Sequence, residues 1–117
     1  RQYARGLVLS PDGARLIPLG RQKLSLLDPN TGREVRSMDG HKADVRAAAF
    51  SADGKRILSG GWDKTARLWD AATGAELKRF EGHRGFVDAV ALSPDGRSAL
   101  TGGTDGGRLA VTFDAEW

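Results

Sequence analysis

The feature that most constrains this chain is a repeat of 41–42 residues. Ser10-Pro11-Asp12-Gly13 returns as Ser51-Ala52-Asp53-Gly54 and again as Ser93-Pro94-Asp95-Gly96. Gly40-His41 returns as Gly82-His83, Leu27-Asp28 as Trp69-Asp70, and Thr31-Gly32 as Thr73-Gly74. Four independent markers on one period describe a supersecondary unit stacked on copies of itself, because such a unit cannot bury its own faces alone.

Each unit reads as short apolar runs parted by turn residues. In the middle unit the runs are 45–50, 56–60, 66–69 and 77–80. The separators include Asp53-Gly54, where glycine supplies a positive φ without steric cost. Runs of this length and spacing predict an all-β structure. Ala47-Ala48-Ala49 is bounded too closely by turn signals to be a helix. Val45, Ala47 and Ala49 are expected on one face of their strand, with Ala48 and Phe50 on the other. Neither face is polar, so the strand is expected to be buried on both sides. The last run, Leu77-Lys78-Arg79-Phe80, is charged and suits an outer edge. An apolar inner strand and a charged outer strand describe a radial blade.

These residues resemble the WD-repeat β-propeller family. The resemblance rests on Gly40-His41, Ser51-Ala52-Asp53-Gly54, Ile57-Leu58-Ser59-Gly60, Asp63-Lys64-Thr65 and Leu68-Trp69-Asp70. It implies four-stranded antiparallel blades, with strands a (44–50), b (56–60), c (65–70) and d (76–80) in the middle one. Blade one is expected over 1–39, blade two over 40–81 and an incomplete blade three over 82–117. The resemblance also implies a structural hydrogen-bonded tetrad of His41, Ser59, Asp63 and Trp69. Buried polar groups of this kind are tolerable when every partner is present.

The other units depart from that pattern. The third keeps His83, Thr101 and Asp105, but has Val111 where Trp is expected. Its stretch 104–113 reads about two residues long, and Thr112-Phe113-Asp114 reads as a slipped Trp-Asp. The first has Pro18, Gln22 and Leu27 at the Ser, Asp and Trp positions, so no tetrad is expected there. Pro18 lacks an N–H, so its strand is expected to be distorted or unpaired on its donor side.

Fewer than three complete blades leave two broad apolar faces in water, since family rings hold about 4–8 blades. Three remedies are open: further blades of a longer propeller, self-association into a six- or nine-bladed homo-oligomeric ring, or persistence as an open stack. The chain starts at Arg1 and not at Met. The expectation is therefore a piece of a longer polypeptide or a processed product.

Composition narrows the partners. No run approaches the roughly 18–20 apolar residues of a membrane span, and the start shows no signal-peptide pattern. A membrane partner is not expected. The net charge is +3, from 18 Lys and Arg against 15 Asp and Glu. The two signs are interspersed without a basic run, which argues against nucleic acid. There is no cysteine, which excludes disulfides, zinc thiolate sites and thiol catalysis. That leaves the compartment open, with the cytoplasm as the favoured expectation.

His41, Ser59 and Asp63 also admit reading as a hydrolase triad. The family placement argues against it, because a nucleophile needs an accessible oxygen and an oxyanion pocket. Gly102-Gly103-Thr104-Asp105-Gly106-Gly107 lacks the Lys-Ser/Thr ending of a phosphate loop. The Asp-Gly pairs lack the spaced carboxylates of a calcium loop. His41 and His83 fall at equivalent places in adjacent units, so no metal site and no cofactor are expected.

What remains is surface recognition by a non-catalytic scaffold. The resemblance points to the face made by the d–a loops and b–c turns. That face holds Lys42, Asp44, Arg46 and Trp62 in blade two, and Arg84, Phe86, Asp88 and Thr104 in blade three. The expected partner is a protein or peptide, further blades of the same propeller, or a second copy. Trp62 and Phe86 stand out, since exposed aromatic and Arg residues are frequent hot spots. Packing between blades is the structural alternative for both.

Overall fold

The computed structural model describes residues 6–81, 85–93, 98–103 and, as backbone, 108–112. The expectations for His83, Arg84, Thr104, Asp105 and Phe113 fall outside the described residues.

Turn chemistry sets the strand boundaries. The Ser10 hydroxyl donates to Asp12 Oδ1 at 2.6 Å, Asp12 accepts the Ala14 N–H at 2.9 Å, and Ser10 Oγ accepts the Arg15 N–H at 3.0 Å. Ser51, Asp53, Lys55 and Arg56 repeat this arrangement at 2.6, 2.9 and 2.9 Å. Gly13 and Gly54 close the two turns at φ of 72° and 74°, a region costly for any residue with a Cβ. The Ser10 and Ser51 hydroxyls, with the following backbone N–H groups, hold the Asp12 and Asp53 carboxyls below their ordinary value.

Between such turns lie three antiparallel sheets. The first joins β1 (Gly6–Leu9), β2 (Leu16–Leu19), β3 (Leu24–Leu27) and β4 (Glu34–Met38). The second joins β5 (Val45–Phe50), β6 (Arg56–Gly61), β7 (Thr65–Asp70) and β8 (Glu76–Glu81). The third, among the described residues, joins β9 (Val87–Leu92), β10 (Ser98–Gly103) and β11 (Arg108–Thr112). Each sheet follows chain order, as expected for blades. In the middle sheet β6 and β7 are almost wholly buried and β8 is mostly exposed.

Two sequence expectations are corrected by register. Val45 pairs with Gly61 and Ala47 with Gly60, so Arg46 is an extra residue, a β-bulge. The bulge breaks the expected alternation. Val45 falls in the cluster against which Ala48 and Phe50 also pack, instead of sharing a face with Ala47 and Ala49. The same bulge recurs at Asp88, since Gly102 pairs with Ala89 and Gly103 with Val87. The second correction concerns length. Gly102 pairs with Arg108 as Gly60 pairs with Ala66, so the third hairpin has the same spacing as the second and carries no two-residue excess. Val111 lies opposite Ala99, as Trp69 lies opposite Ile57.

Pro18 has the expected effect. The β1–β2 ladder is regular, whereas β2 and β3 pair only at Leu16 and Leu27. The matching β6–β7 ladder holds five pairs.

The core lies between sheets. Ile17, Leu24, Leu26, Met38, Val45, Ile57 and Trp69 fill the space between the first two. Leu58, Ala66, Leu68 and Ala99 form a second cluster, with Leu77, Phe80, Val90 and Leu92 packed against it. Backbone bonds also cross between sheets: Gly20 N–H donates to Val45 O at 2.8 Å and Val45 N–H to Arg21 O at 2.7 Å. At the two ends of the stack, Leu7, Leu9 and Leu100 are exposed.

Candidate functional site

Two features meet on the loops at one end of the middle sheet. One is a buried polar network; the other is an exposed aromatic cluster.

The network begins at His41, just ahead of β5. Its Nδ1 lies 2.9 Å from Asp63 Oδ2 and its Nε2 lies 2.7 Å from Ser59 Oγ. Trp69 Nε1 donates to the same hydroxyl at 2.8 Å. A carboxylate only accepts, so Nδ1 carries the proton, and Nε2 accepts from Ser59. Burial, opposed in part by the Asp63 charge, holds His41 below its ordinary 6.5 and therefore neutral. Burial pushes the Asp63 carboxyl up, but the Lys42 N–H, the Thr65 hydroxyl and His41 outweigh it and hold it below 3.8. Ser59 is fully buried, with one oxygen lone pair occupied by the Trp69 N–H. The structure thus brings His41, Ser59, Asp63 and Trp69 together, and the hydroxyl faces protein on every side.

The network extends beyond those four residues. Thr65 donates to Asp63 Oδ1 at 2.8 Å. The buried Arg67 guanidinium donates to Thr65 Oγ1 at 3.2 Å and to Glu76 Oε1 at 2.8 Å, and lies 3.5 Å from Asp63 Oδ2. Sequence reasoning missed Thr65, Arg67 and Glu76. The available signal was Arg67 itself, a charge between Ala66 and Leu68 in a mostly buried strand, which demands a polar partner.

In the third blade Thr101 is buried and lies opposite Val90 and Leu109, as Ser59 lies opposite Ala48 and Arg67. In the first, Gln22 sits at the Asp63 position and donates to the His41 carbonyl at 3.4 Å.

The second feature joins two blades. The Trp62 and Phe86 rings stack with centroids 4.9 Å apart and planes inclined at 22°. The Arg46 guanidinium lies 4.8 Å from the Trp62 ring centroid. Trp62 and Phe86 are each 38% exposed, so the stack is half packing and half surface. The Trp62 N–H donates to the Asp44 carbonyl at 2.9 Å, which fixes the turn against β5. Lys64 in the same turn adopts a φ of 70°. Lys42 is exposed on the adjoining loop, and its backbone N–H donates to Asp63 Oδ2 at 3.0 Å. Asp88 is exposed at the second bulge.

This architecture has relatives. The chain is 42% identical over 65 residues to WD repeat-containing protein 1 of Xenopus tropicalis, a stretch covering 52% of this chain and 11% of that protein. It is 49% identical over 59 residues to the nuclear distribution protein PAC1 of Arthroderma otae, covering 50% of this chain and 13% of that protein. It is 56% identical over 39 residues to the small ribosomal subunit protein RACK1 of Caenorhabditis elegans, covering 33% and 12%. The chain therefore spans about a tenth of the length of these curated relatives. The model of the family described as "WD domain, G-beta repeat" matches residues 32–70 and 74–107. Each match starts near the outermost strand of one sheet and runs into the next, so the sequence repeat straddles neighbouring blades. With more than half of its residues inside those two repeats, the chain belongs to the WD40 family.

Proposed function

We propose that this chain is a non-catalytic interaction module that presents the loops of blades two and three to a protein or peptide partner. Its blades are taken as 1–39, 40–81 and 82–117. The observation that carries the reading is the Arg46–Trp62–Phe86 cluster, which draws on three segments of two blades and stays partly exposed. Exposed aromatic and Arg side chains on a rigid support are the usual anchors of an interface. The buried network supplies that rigidity: it ties the 41–44 loop to the 62–64 turn through His41, Lys42 and Asp63. Full burial of Ser59 favours this structural role over the hydrolase reading.

Panning a random-peptide library against the wild type and a Trp62→Ala/Phe86→Ala double variant tests the reading. The wild type is expected to enrich binders that the folded double variant does not retain. Equal enrichment by both would exclude this face.

A second reading, self-assembly into a six- or nine-bladed ring, is favoured by the exposed Leu7, Leu9 and Leu100 at the ends of the stack. Light scattering decides it: a monodisperse dimer or trimer supports closure by copies, and a monomer rejects it.

A further inference from the structure

The bulge in β5 re-aims a charge. Arg46 is the residue without a ladder partner, and its guanidinium lies over Trp62 instead of reaching a carboxylate. Among the described residues, no ion pair engages Arg46, Lys42 or Lys64. The one carboxylate inside the 62–64 turn, Asp63, is already held by His41, Thr65 and the Lys42 N–H. The turn and its neighbouring bulge therefore present cationic donors beside an apolar stack. Among the described residues, Lys42, Arg46 and Lys64 are the cations of these segments and Asp44, Asp63 and Asp88 the carboxylates; of these cations Arg46 lies over the aromatic stack.

We infer that the Arg46–Trp62–Phe86 cluster docks an acidic peptide, with a carboxylate side chain on the Arg46 guanidinium and a neighbouring apolar side chain against Trp62 and Phe86. This rests on the interaction face proposed above and names its partner chemistry. A guanidinium presents a planar fork that matches the two oxygens of a carboxylate. Stacking on Trp62 holds the fork in place, which lowers the ordering cost of binding. The single guanidinium over the stack suits one carboxylate. A phosphate would engage the same fork, and the phosphoserine substitution separates the two.

The test uses the 117-residue chain and an array of short random peptides. The best binders are then titrated against protein whose Trp62 indole N–H resonance is followed by NMR. Binders are expected to share an Asp or Glu beside a large apolar residue and to shift the Trp62 signal. Arg46→Ala and Trp62→Ala are each expected to weaken binding by about tenfold or more, the loss of one bidentate contact or one anchor. Arg46→Glu is expected to turn the preference toward basic peptides. Arg46→Lys keeps the charge and loses the fork, so it serves if Arg46→Ala does not fold; it too is expected to weaken binding. Binders that shift Trp62 but lack an acidic residue, or that bind the Arg46 variants as tightly as the wild type, overturn the acidic assignment and leave the face intact. Tighter binding on replacing the acid with phosphoserine overturns the carboxylate assignment alone. Binders that leave the Trp62 signal unmoved, or no binders at all, overturn both the assignment and the face.

Discussion

Replacing Ser59 with Ala removes one oxygen from a site with no access to water. In the native fold that oxygen accepts from Trp69 Nε1 at 2.8 Å and donates to His41 Nε2 at 2.7 Å. Trp69 is 1% exposed and His41 5% exposed, so neither nitrogen gains a water partner after the change. Each buried group left unsatisfied costs about 1–3 kcal/mol. The two together cost roughly 2–6 kcal/mol, a large share of the about 5–15 kcal/mol that holds a domain together. For a chain of this length that corresponds to a fall in melting temperature of roughly 8–24 °C. Ser59→Thr keeps the hydroxyl, as Thr101 does at the matching place in blade three, and is expected to lose much less. Thermal unfolding followed by circular dichroism measures both variants. A double-mutant cycle with Trp69→Phe adds a coupling energy, expected to be well above zero because both changes remove the same bond. A Ser59→Ala protein within about 0.5 kcal/mol of the wild type, the usual range for a change of no consequence, refutes the argument. Unchanged stability with loss of an esterase activity would revive the hydrolase reading.

Three further outcomes follow from the same structure. A methyl group built on Gly60 would lie 2.5 Å from Val87 Cγ1 and 2.9 Å from Val90 Cγ1, so Gly60→Ala is expected to destabilise the contact between blades two and three by about 1–3 kcal/mol, read as a fall in denaturation midpoint; a midpoint equal to the wild type would contradict that contact. The buried network also predicts acid sensitivity. His41 is held below 6.5 and Asp63 below 3.8, so the fold binds fewer protons than the unfolded chain at each group. The His41 contribution is fully present above pH 6.5 and is lost as pH falls through its depressed value; the Asp63 contribution follows the same course below 3.8. Melting temperature is therefore expected to drop from pH 7 to pH 5 and again in the carboxylate range, and a rise on acidification would contradict a buried neutral His41. Finally, because Pro18 leaves β2 and β3 paired only at Leu16 and Leu27, amide exchange in Leu24–Leu27 is expected to be faster than in Thr65–Asp70; equal protection of the two strands would show the β2–β3 ladder to be intact.

Much of this was legible in the sequence, for a physical reason. Strand positions followed from turn chemistry, because Ser-x-Asp-Gly carries both the hydrogen bonds and the positive φ that end one strand and start the next. The partners of His41 followed from the repeat and its resemblance, since Ser59, Asp63 and Trp69 keep their places relative to Gly40-His41. The bulge at Arg46 was not legible. Alternation of apolar residues assumes one pair per residue, and Val-Arg-Ala looks the same with or without an extra residue in the ladder. Missing it put Val45 on the wrong face and hid the reason Arg46 reaches Trp62. Nor does the sequence reveal that Trp62 and Phe86 touch. They lie in different repeats, and their contact depends on how two sheets are rotated against each other. Arg67 was missed for a related reason: its partners, buried Thr65 and more exposed Glu76, carry nothing local that marks them as its partners.

Blades two and three dock so that Trp62 and Phe86 form one surface. Nuclear Overhauser contacts between the two rings test it most directly. With centroids 4.9 Å apart, strong cross-peaks are predicted between the Trp62 indole and Phe86 ring protons, and they should vanish in Phe86→Leu while the Trp69 indole signal stays in place. Absence of those cross-peaks in a protein whose Trp69 indole N–H is still protected would contradict the account, because blade two would then be folded without presenting the cluster on which the interaction face depends.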